Sequence, residues 1–319
     1  MLDSTEDKYS RLAKMAYLYH VGGKNQEEIA TLMGVARPMV SRQLKEAEKL
    51  GIVRIEVNYP IRSKKLEQEF IDRFNIKEPM IYIVDTEDPQ ELKILIGRAA
   101  ANYLENSVPS IKRLAISWGS TLFEMIQQLK PLQMKDLEVI QLIGATGREH
   151  NPNDGPIIAR NLAERLGAKL YLLHAPLIVD SIQVAKALLK DKVIRQTLDR
   201  ATEADLSLVG IGSLEPQRNS LYKAGYVNEE ELNKIRRAGG IGDICAQFFD
   251  IHGKLLDIDI NKRIIGLPLE KLREKSKVMA VSFGIDKAEG ILGALRGQLI
   301  DGLITDHTTA EQVLRLATL

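Results

Sequence analysis

Cysteine is almost absent from this chain of 319 residues, with Cys245 the only one. That excludes an intrachain disulfide and suits a reducing compartment. Long apolar runs are missing too. A membrane span needs roughly 18 apolar residues, and the best candidate, 170–179, is interrupted by His174 and Pro176. Residues 1–11 are charged and lack the apolar stretch of a secretory signal. The five histidines (His20, His150, His174, His252, His307) are scattered without ligand spacing, so no metal motif is read. No G-x-G-x-x-G follows an expected strand and no G-x-x-x-x-G-K-[ST] occurs, which removes the usual nucleotide-binding signatures. The expectation is a soluble cytoplasmic protein with no metal and no cofactor.

The net charge of +1 argues against a protein coated in nucleic acid, but the charge is unevenly placed. Residues 1–65 carry 12 Lys+Arg against 8 Asp+Glu, and the remainder 32 against 35. A head of net +4 on a body of net −3 suits phosphate contact by the head alone. Within the head, Ile29, Leu32 and Met33 form one apolar face at helical spacing, and Gly34 supplies a sharp turn. Val40, Leu44, Ala47 and Leu50 form the face of a second helix. Two short helices across a glycine-containing turn describe a helix-turn-helix, whose second helix enters the major groove by its N-terminal residues. Those positions hold Arg37, Pro38, Met39, Ser41, Arg42 and Gln43. Arg suits guanine, Gln adenine, Ser a base or phosphate, and Met a thymine methyl. The plainer alternative is a helical hairpin with a solvated polar face. A supporting helix is expected over 9–20, with Leu12, Met15, Ala16 and Tyr19 inward. The alternating segment 52–57 reads as a short strand, which suggests a winged variant.

After Pro60, an amphipathic helix over 62–74 carries Leu66, Phe70 and Phe74 at i, i+4, i+8. It reads as a linker (59–76) between a DNA-binding domain (1–58) and an effector domain (77–319), and as a possible dimer contact. A helix packed on the body's own sheet fits the same spacing. Beyond Pro79, strands alternate with helices. Strands are expected at 80–84, 111–117, 137–143, 169–173, 206–211, 277–283 and 302–305. Helices are expected at 92–104, 122–129, 157–166, 185–198, 229–237, 287–299 and 310–316. Near-continuous apolar strands alternating with helices indicate an α/β fold with a mostly parallel sheet covered on both faces.

In such sheets ligands bind beyond the carboxyl ends of the strands. Several expected ends share one composition: Gly119-Ser120-Thr121, Gly144-Ala145-Thr146-Gly147, Gly210-Ile211-Gly212-Ser213 and Gly242-Asp243. Glycine admits an anion close to backbone amides, hydroxyls add donors, and a helix N-terminus behind the loop adds positive potential. Each loop alone could equally be a turn and an N-cap. Together they favour a small anion such as a sugar phosphate. Asp243 suits sugar hydroxyls, or else caps a helix over 244–248. Lys287 stands at a helix start, where a cation opposes the dipole, so an anionic ligand or plain solvation must explain it. Arg148, next to the second loop, is a candidate on the same logic.

These residues resemble the SorC family of bacterial sugar-responsive transcriptional regulators over essentially the whole chain. In the head the likeness rests on Gln26-Glu27-Glu28-Ile29-Ala30 and on Arg37-Pro38-Met39-Val40-Ser41-Arg42. In the body it rests on Ser117-Trp118-Gly119-Ser120-Thr121, Val209-Gly210-Ile211-Gly212-Ser213, the run 242–250, Lys287-Ala288 and the turn 306–309. The resemblance implies a body similar to sugar-phosphate isomerases and glucosamine-phosphate deaminases, used for binding instead of turnover. It implies tetramers on operator DNA, and a ligand held by the loops matching Ser120-Thr121, Gly144 to Gly147, Gly212-Ser213, Asp243 and Lys287. Two positions depart from the family pattern. Ile143 stands where some relatives carry a basic residue, and Phe283 where many have a second glycine.

Two functions are weighed on this sequence. One is an effector-gated, DNA-binding regulator, read as a repressor and a homo-oligomer (dimer or tetramer). The other is a sugar-phosphate isomerase-like enzyme with an appended helical domain. An enzyme needs an acid and a base across its substrate, and the strand ends offer Asp243 without an obvious partner.

Overall fold

A computed structural model of the chain describes residues 4–53, 61–148 and 151–318. They fall into two compact units, divided between Tyr59 and Pro60.

Among its described residues the first unit has three helices: α1 (Ser4–His20), α2 (Gln26–Met33) and α3 (Arg37–Lys49). Asn25 starts α2 by a reciprocal cap. Its side chain accepts from the amides of Glu27 and Glu28 at 3.0 Å, and Glu28 accepts from the Asn25 amide at 2.8 Å. Gly34 ends α2 in the left-handed region at φ 63°, which lets the chain reverse into α3. Pro38 lies in the first turn of α3, where its missing N–H breaks no helical bond. Leu12, Met15, Ala16, Ile29, Ala30, Val40, Leu44 and Ala47 make a core of their own. Leu32 and Leu50, expected on the inner faces, are 60% and 42% exposed. Met33, expected on the same face, is partly buried against this core. Most of the strand expected at 52–57 lies outside the described residues.

The second unit runs in chain order through β1 (Ile61–Arg62), α4 (Lys64–Phe74), β2 (Glu78–Ile83), α5 (Pro89–Ser107), β3 (Arg113–Ile116), α6 (Ser120–Gln128), β4 (Glu138–Gln141), α7 (Gly155–Leu166) and β5 (Lys169–Tyr171). It continues with α8 (Ile182–Leu188), α9 (Lys192–Thr202), β6 (Leu206–Val209), α10 (Ser220–Lys223), α11 (Glu229–Arg237) and the hairpin β7 (Gly242–Ile244) and β8 (Gln247–Phe249). α12 (Asp259–Lys262), α13 (Leu269–Lys275), β9 (Lys277–Val281), α14 (Ala288–Arg296), β10 (Gly302–Asp306) and α15 (His307–Ala317) complete it. The main sheet has the order β1-β2-β10-β9-β6-β3-β4-β5, parallel except for β1. Successive strand residues feed opposite cores: Leu114 and Ile116 enter one, Ala115 the other. α5, α6 and α7 cover the first face, and α4, α9, α11, α13, α14 and α15 the second.

β3 and β6 lie side by side, yet β3 leads outward to β4 and β5 while β6 leads the opposite way to β9 and β10. This is the switch point in strand order, where departing loops diverge and leave a crevice beyond the strand ends.

Two expectations are corrected here and a third is refined. The helix expected as a linker, α4, packs on the body's own sheet. Phe70 is fully buried in the larger core with Leu66. Glu67 accepts from Arg62 Nε at 2.5 Å and from the Ile81 amide at 3.2 Å, tying helix and strand together. The stretch 185–198, expected to be largely helical, is so as two helices, because Asp191 caps a new start by accepting from the amides of Val193 and Ile194. No helix spans 244–248. Cys245 and Ala246 adopt φ 52° and 63° and turn the tight hairpin β7–β8.

Phe70→Ala should therefore destabilise the body by about 3–5 kcal/mol, the usual cost of emptying a packed aromatic site. Denaturant unfolding followed at Trp118, the sole tryptophan and itself in that core, would read this loss. An unchanged midpoint would mean that α4 is a spacer.

Candidate functional site

At the start of α3, Arg37, Pro38, Met39 and Arg42 are exposed, while Ser41 and Gln43 are half-buried. The Oε1 of Gln43 is enclosed without a hydrogen-bond partner, so Gln43 is the least available of the six for reading a base. Arg11 of α1 reaches Met39, its Nη2 lying 3.9 Å from the sulfur.

In the body, the crevice at the switch point holds a small chamber of about 60 Å³. Ser120, Thr121, Arg218, Asp243, Cys245 and Lys287 all line it. α6 opens beside it. Its N-cap, Gly119, has φ 115° and no side chain to cap the helix, so the amides of the first turn remain available to a ligand. The chamber's one carboxylate among the described residues is Asp243, carried in by the β7–β8 hairpin. The hairpin is stitched to the loop after β6 by the Gly212 amide, which donates to the Asp243 carbonyl at 2.8 Å. Gly212 must be glycine for a reason of space: a Cβ there would lie 2.0 Å from Asp243 Oδ1. Gly242 is equally confined, since a Cβ would approach Gly212 O and Gly290 Cα at 2.9 Å. Both glycines serve close packing of the chamber wall.

Burial raises the Asp243 carboxyl to about 6, against the opposing pull of the Ala246 amide and the Lys287 ammonium. Burial lowers Lys287, with Asp286 and Asp243 opposing. The Lys287 Nζ lies 5.6 Å from the centroid of the Phe283 ring. The Cys245 thiol, buried and facing Ser117 Oγ at 3.5 Å, is pushed up to about 12. It is a neutral wall of the chamber and no nucleophile.

The structure thus brings Gly119, Ser120, Thr121, Gly212, Asp243 and Lys287 together at one chamber. It does not bring the loop 144–147 there. The Gly144 amide donates to Ile265 O, Ala145 to Ala175 O, and Thr146 to Asp154 Oδ1. A Cβ on Gly144 would meet Pro176 O at 2.3 Å, so this glycine serves packing. Ser213 is fully buried, and its hydroxyl accepts from the Glu215 amide at 3.2 Å. Arg148 lines an adjoining recess. The sequence reading missed Arg218 and Lys223, in the connection between β6 and α11. Exposed cations in a polar connection carry no local signal that distinguishes them from a solvated face.

A third, larger lobe of about 820 Å³ reaches Thr86, Asp88, Asp286 and Asp306. Asp306 is committed to capping α15, accepting from Thr308 Oγ1 at 2.7 Å, the Thr309 amide at 2.9 Å and Thr309 Oγ1 at 2.5 Å. It is no free acid or base to pair with Asp243.

A sequence model of the family described as "Putative sugar-binding domain" matches residues 59–315. The chain belongs to this family and is a SorC-type transcriptional regulator. The deoxyribonucleoside regulator of Bacillus subtilis is 29% identical over 309 residues, covering 97% of this chain and 98% of that protein. The transcriptional regulator LsrR of an Enterobacter species is 30% identical, covering 96% and 93%. The crystal structure of the full-length sorbitol operon regulator SorC from Klebsiella pneumoniae superposes with a TM-score of 0.78 at 26% identity, over 98% of this chain and 100% of that one. These full-length relatives are regulators, so the enzyme alternative falls. No helix among the described residues is long and apolar enough to cross a membrane.

Because folding raises the Asp243 carboxyl from 3.8 to about 6, ionising it opposes folding. The penalty is absent below about pH 3.8, grows between the two values and is complete above about pH 6. Asp243→Asn should stabilise the ligand-free body at pH 7.5, by up to about 3 kcal/mol, with little gain at pH 4. Chemical denaturation at the two pH values measures this. Equal changes at both would mean that the carboxyl titrates normally.

Proposed function

We propose that this regulator is a repressor of sugar-metabolism genes whose operator affinity is set by a phosphorylated sugar bound at the switch-point chamber. The observation that carries the reading is the uncapped start of α6, where Ser120 and Thr121 share a chamber with Lys287 and Arg218. Free amides, hydroxyls and two cations around about 60 Å³ suit a phosphate group. Asp243 and the adjoining carboxylate-bearing lobe suit the hydroxyls of the sugar. The names of the relatives, a deoxyribonucleoside regulator and a sorbitol operon regulator, agree with a sugar-derived signal. The head binds the operator through the exposed start of α3, and the protein acts as a dimer or tetramer, presenting paired heads to paired half-sites.

Arg42→Ala should weaken operator binding and relax base preference at one position, at a cost of roughly 1–3 kcal/mol. Gel shifts on cognate and single-substituted operators at matched salt test this. Identical affinity and preference in mutant and parent would remove Arg42 from the interface.

For the effector, a thermal-shift screen of sugars and sugar phosphates comes first. A ligand at 100 times its Kd stabilises the folded state by about 2.7 kcal/mol. Each hydrogen bond to a charged group contributes roughly 1.5–3 kcal/mol. Ser120→Ala combined with Thr121→Ala should therefore weaken the phosphorylated hit about 100-fold or more, while operator affinity without effector stays intact. Lys287→Ala should act in the same direction and non-additively. Operator release on titration is the readout, and a wild-type response from both variants would move the site elsewhere.

A further inference from the structure

We propose that the outer face of α1 is the surface on which the heads of two copies of this chain meet, the two helices packing antiparallel about a two-fold axis at Ala13. This rests on the reading of the head as an operator-binding domain in a dimer or tetramer, and names the surface by which heads pair.

The exposure of aromatic rings singles out this face. The chain has nine tyrosines. Tyr82, Tyr103, Tyr171, Tyr222 and Tyr226, all in the body, are buried or half-buried. The three that are exposed among the described residues, Tyr9, Tyr17 and Tyr19, lie together on α1. Tyr9 and Tyr17 are 45% and 61% exposed. A tyrosine offers a large apolar ring with a polar tip, which is why it is enriched where protein surfaces meet.

The order of residues along the face says what covers it. Glu6, Tyr9, Ala13, Tyr17 and His20, all exposed, follow at steps of three, four, four and three. Those steps keep them on one stripe of the helix. The spacing is symmetric about Ala13, and the ends are opposite in character, an acid in the first turn and a base in the last. A second copy laid antiparallel across Ala13 therefore sets Tyr9 against Tyr17 of that copy and Glu6 against its His20. Each contact is made twice, as a two-fold axis requires. The small side chain at the centre lets the axes approach, and the helix dipoles run opposed. A parallel pair would instead set Glu6 on Glu6 and leave the charges unmatched.

The stripe lies away from the other contacts of α1. Lys8 reaches Glu46 of α3 at 2.7 Å, and Arg11 lies over Met39. Leu12, Met15 and Ala16 fill the core of the head. Pairing through Tyr9 and Tyr17 thus leaves the start of α3 open to DNA. The stripe is about 22 Å long at ~1.5 Å per residue, and a helix pair of that length buries less than the roughly 1,200 Å² of a stable interface. The heads therefore pair when the body or two adjacent half-sites hold them close, which makes binding to paired half-sites cooperative.

Disulfide trapping in the full chain tests this. Ala13→Cys puts two thiols at the symmetry centre, while the native Cys245 is buried and the parent protein gives its background. With a duplex selected by the parent from a random pool, mild oxidation should convert most of Ala13→Cys to a covalent dimer. Asp7→Cys, exposed on the same helix but off the stripe, should give about tenfold less. No trapping at Ala13→Cys, or equal trapping at both positions, would overturn the proposal. A second variant combines Tyr9→Ser with Tyr17→Ser, both at exposed positions that leave the core intact. Its affinity for a duplex with two half-sites should fall about tenfold or more, with affinity for a single half-site unchanged. An equal loss on both duplexes would put the stripe on DNA or in the fold of the head, and no loss on either would leave it merely solvated; both outcomes overturn head pairing and leave operator binding standing. If the parent selects no duplex, the operator reading of the head fails and this proposal with it.

Discussion

The body depends on one constraint: two adjacent parallel strands, β3 and β6, whose chains must leave in opposite directions. Each strand has to return through a crossover on one face of the sheet, and neighbours that return on different faces cannot fill the space beyond their own ends. The start of α6 is exposed to that space, and the β7–β8 hairpin forms its far wall. The wall stands where it does because the Gly212 amide bonds the Asp243 carbonyl and because neither Gly212 nor Gly242 has a side chain to hold the two segments apart. A methyl at Gly212 would displace the only carboxylate that the described residues place in the chamber.

The electrostatics follow from that enclosure. Asp243 is buried opposite Lys287, and each suffers the loss of water more than it gains from the other. The two do not meet in an ion pair, so each charge is left with partners to gain from an incoming polar ligand. It is also a poor arrangement for turnover. Asp306 spends its oxygens on the start of α15, and Cys245 is held neutral. What the chamber retains is donors and cations, which bind and orient. That chemistry agrees with a family of regulators.

Much of the fold was legible in sequence because its signals are local. Apolar strands bounded by Gly and Pro, helices at 3.6-residue spacing and the basic asymmetry of the head all lie within short windows. The candidate site was legible only in part. The Gly-rich strand ends were recognisable as a class, but not which of them would meet. Gly144 and Gly212 look alike in sequence. One is pinned against Pro176 and the other packs against the chamber carboxylate. A glycine signals that something comes close and leaves the identity of the neighbour open.

The sequence by itself determined that there is a helical, basic head and an α/β body, and it set the expectation of ligand chemistry at the ends of the strands. These follow from backbone propensity and periodic burial, which each residue expresses beside its own neighbours. Tertiary structure alone decided the rest. It made α4 part of the body by burying Phe70, and it turned 242–249 into a hairpin against Gly212. It also brought Arg218 and Lys223, silent in the polar connection between β6 and α11, to the recess beside the chamber. Those outcomes depend on strand order and long-range packing, which place residues a hundred positions apart within a few ångströms and which no window of sequence contains.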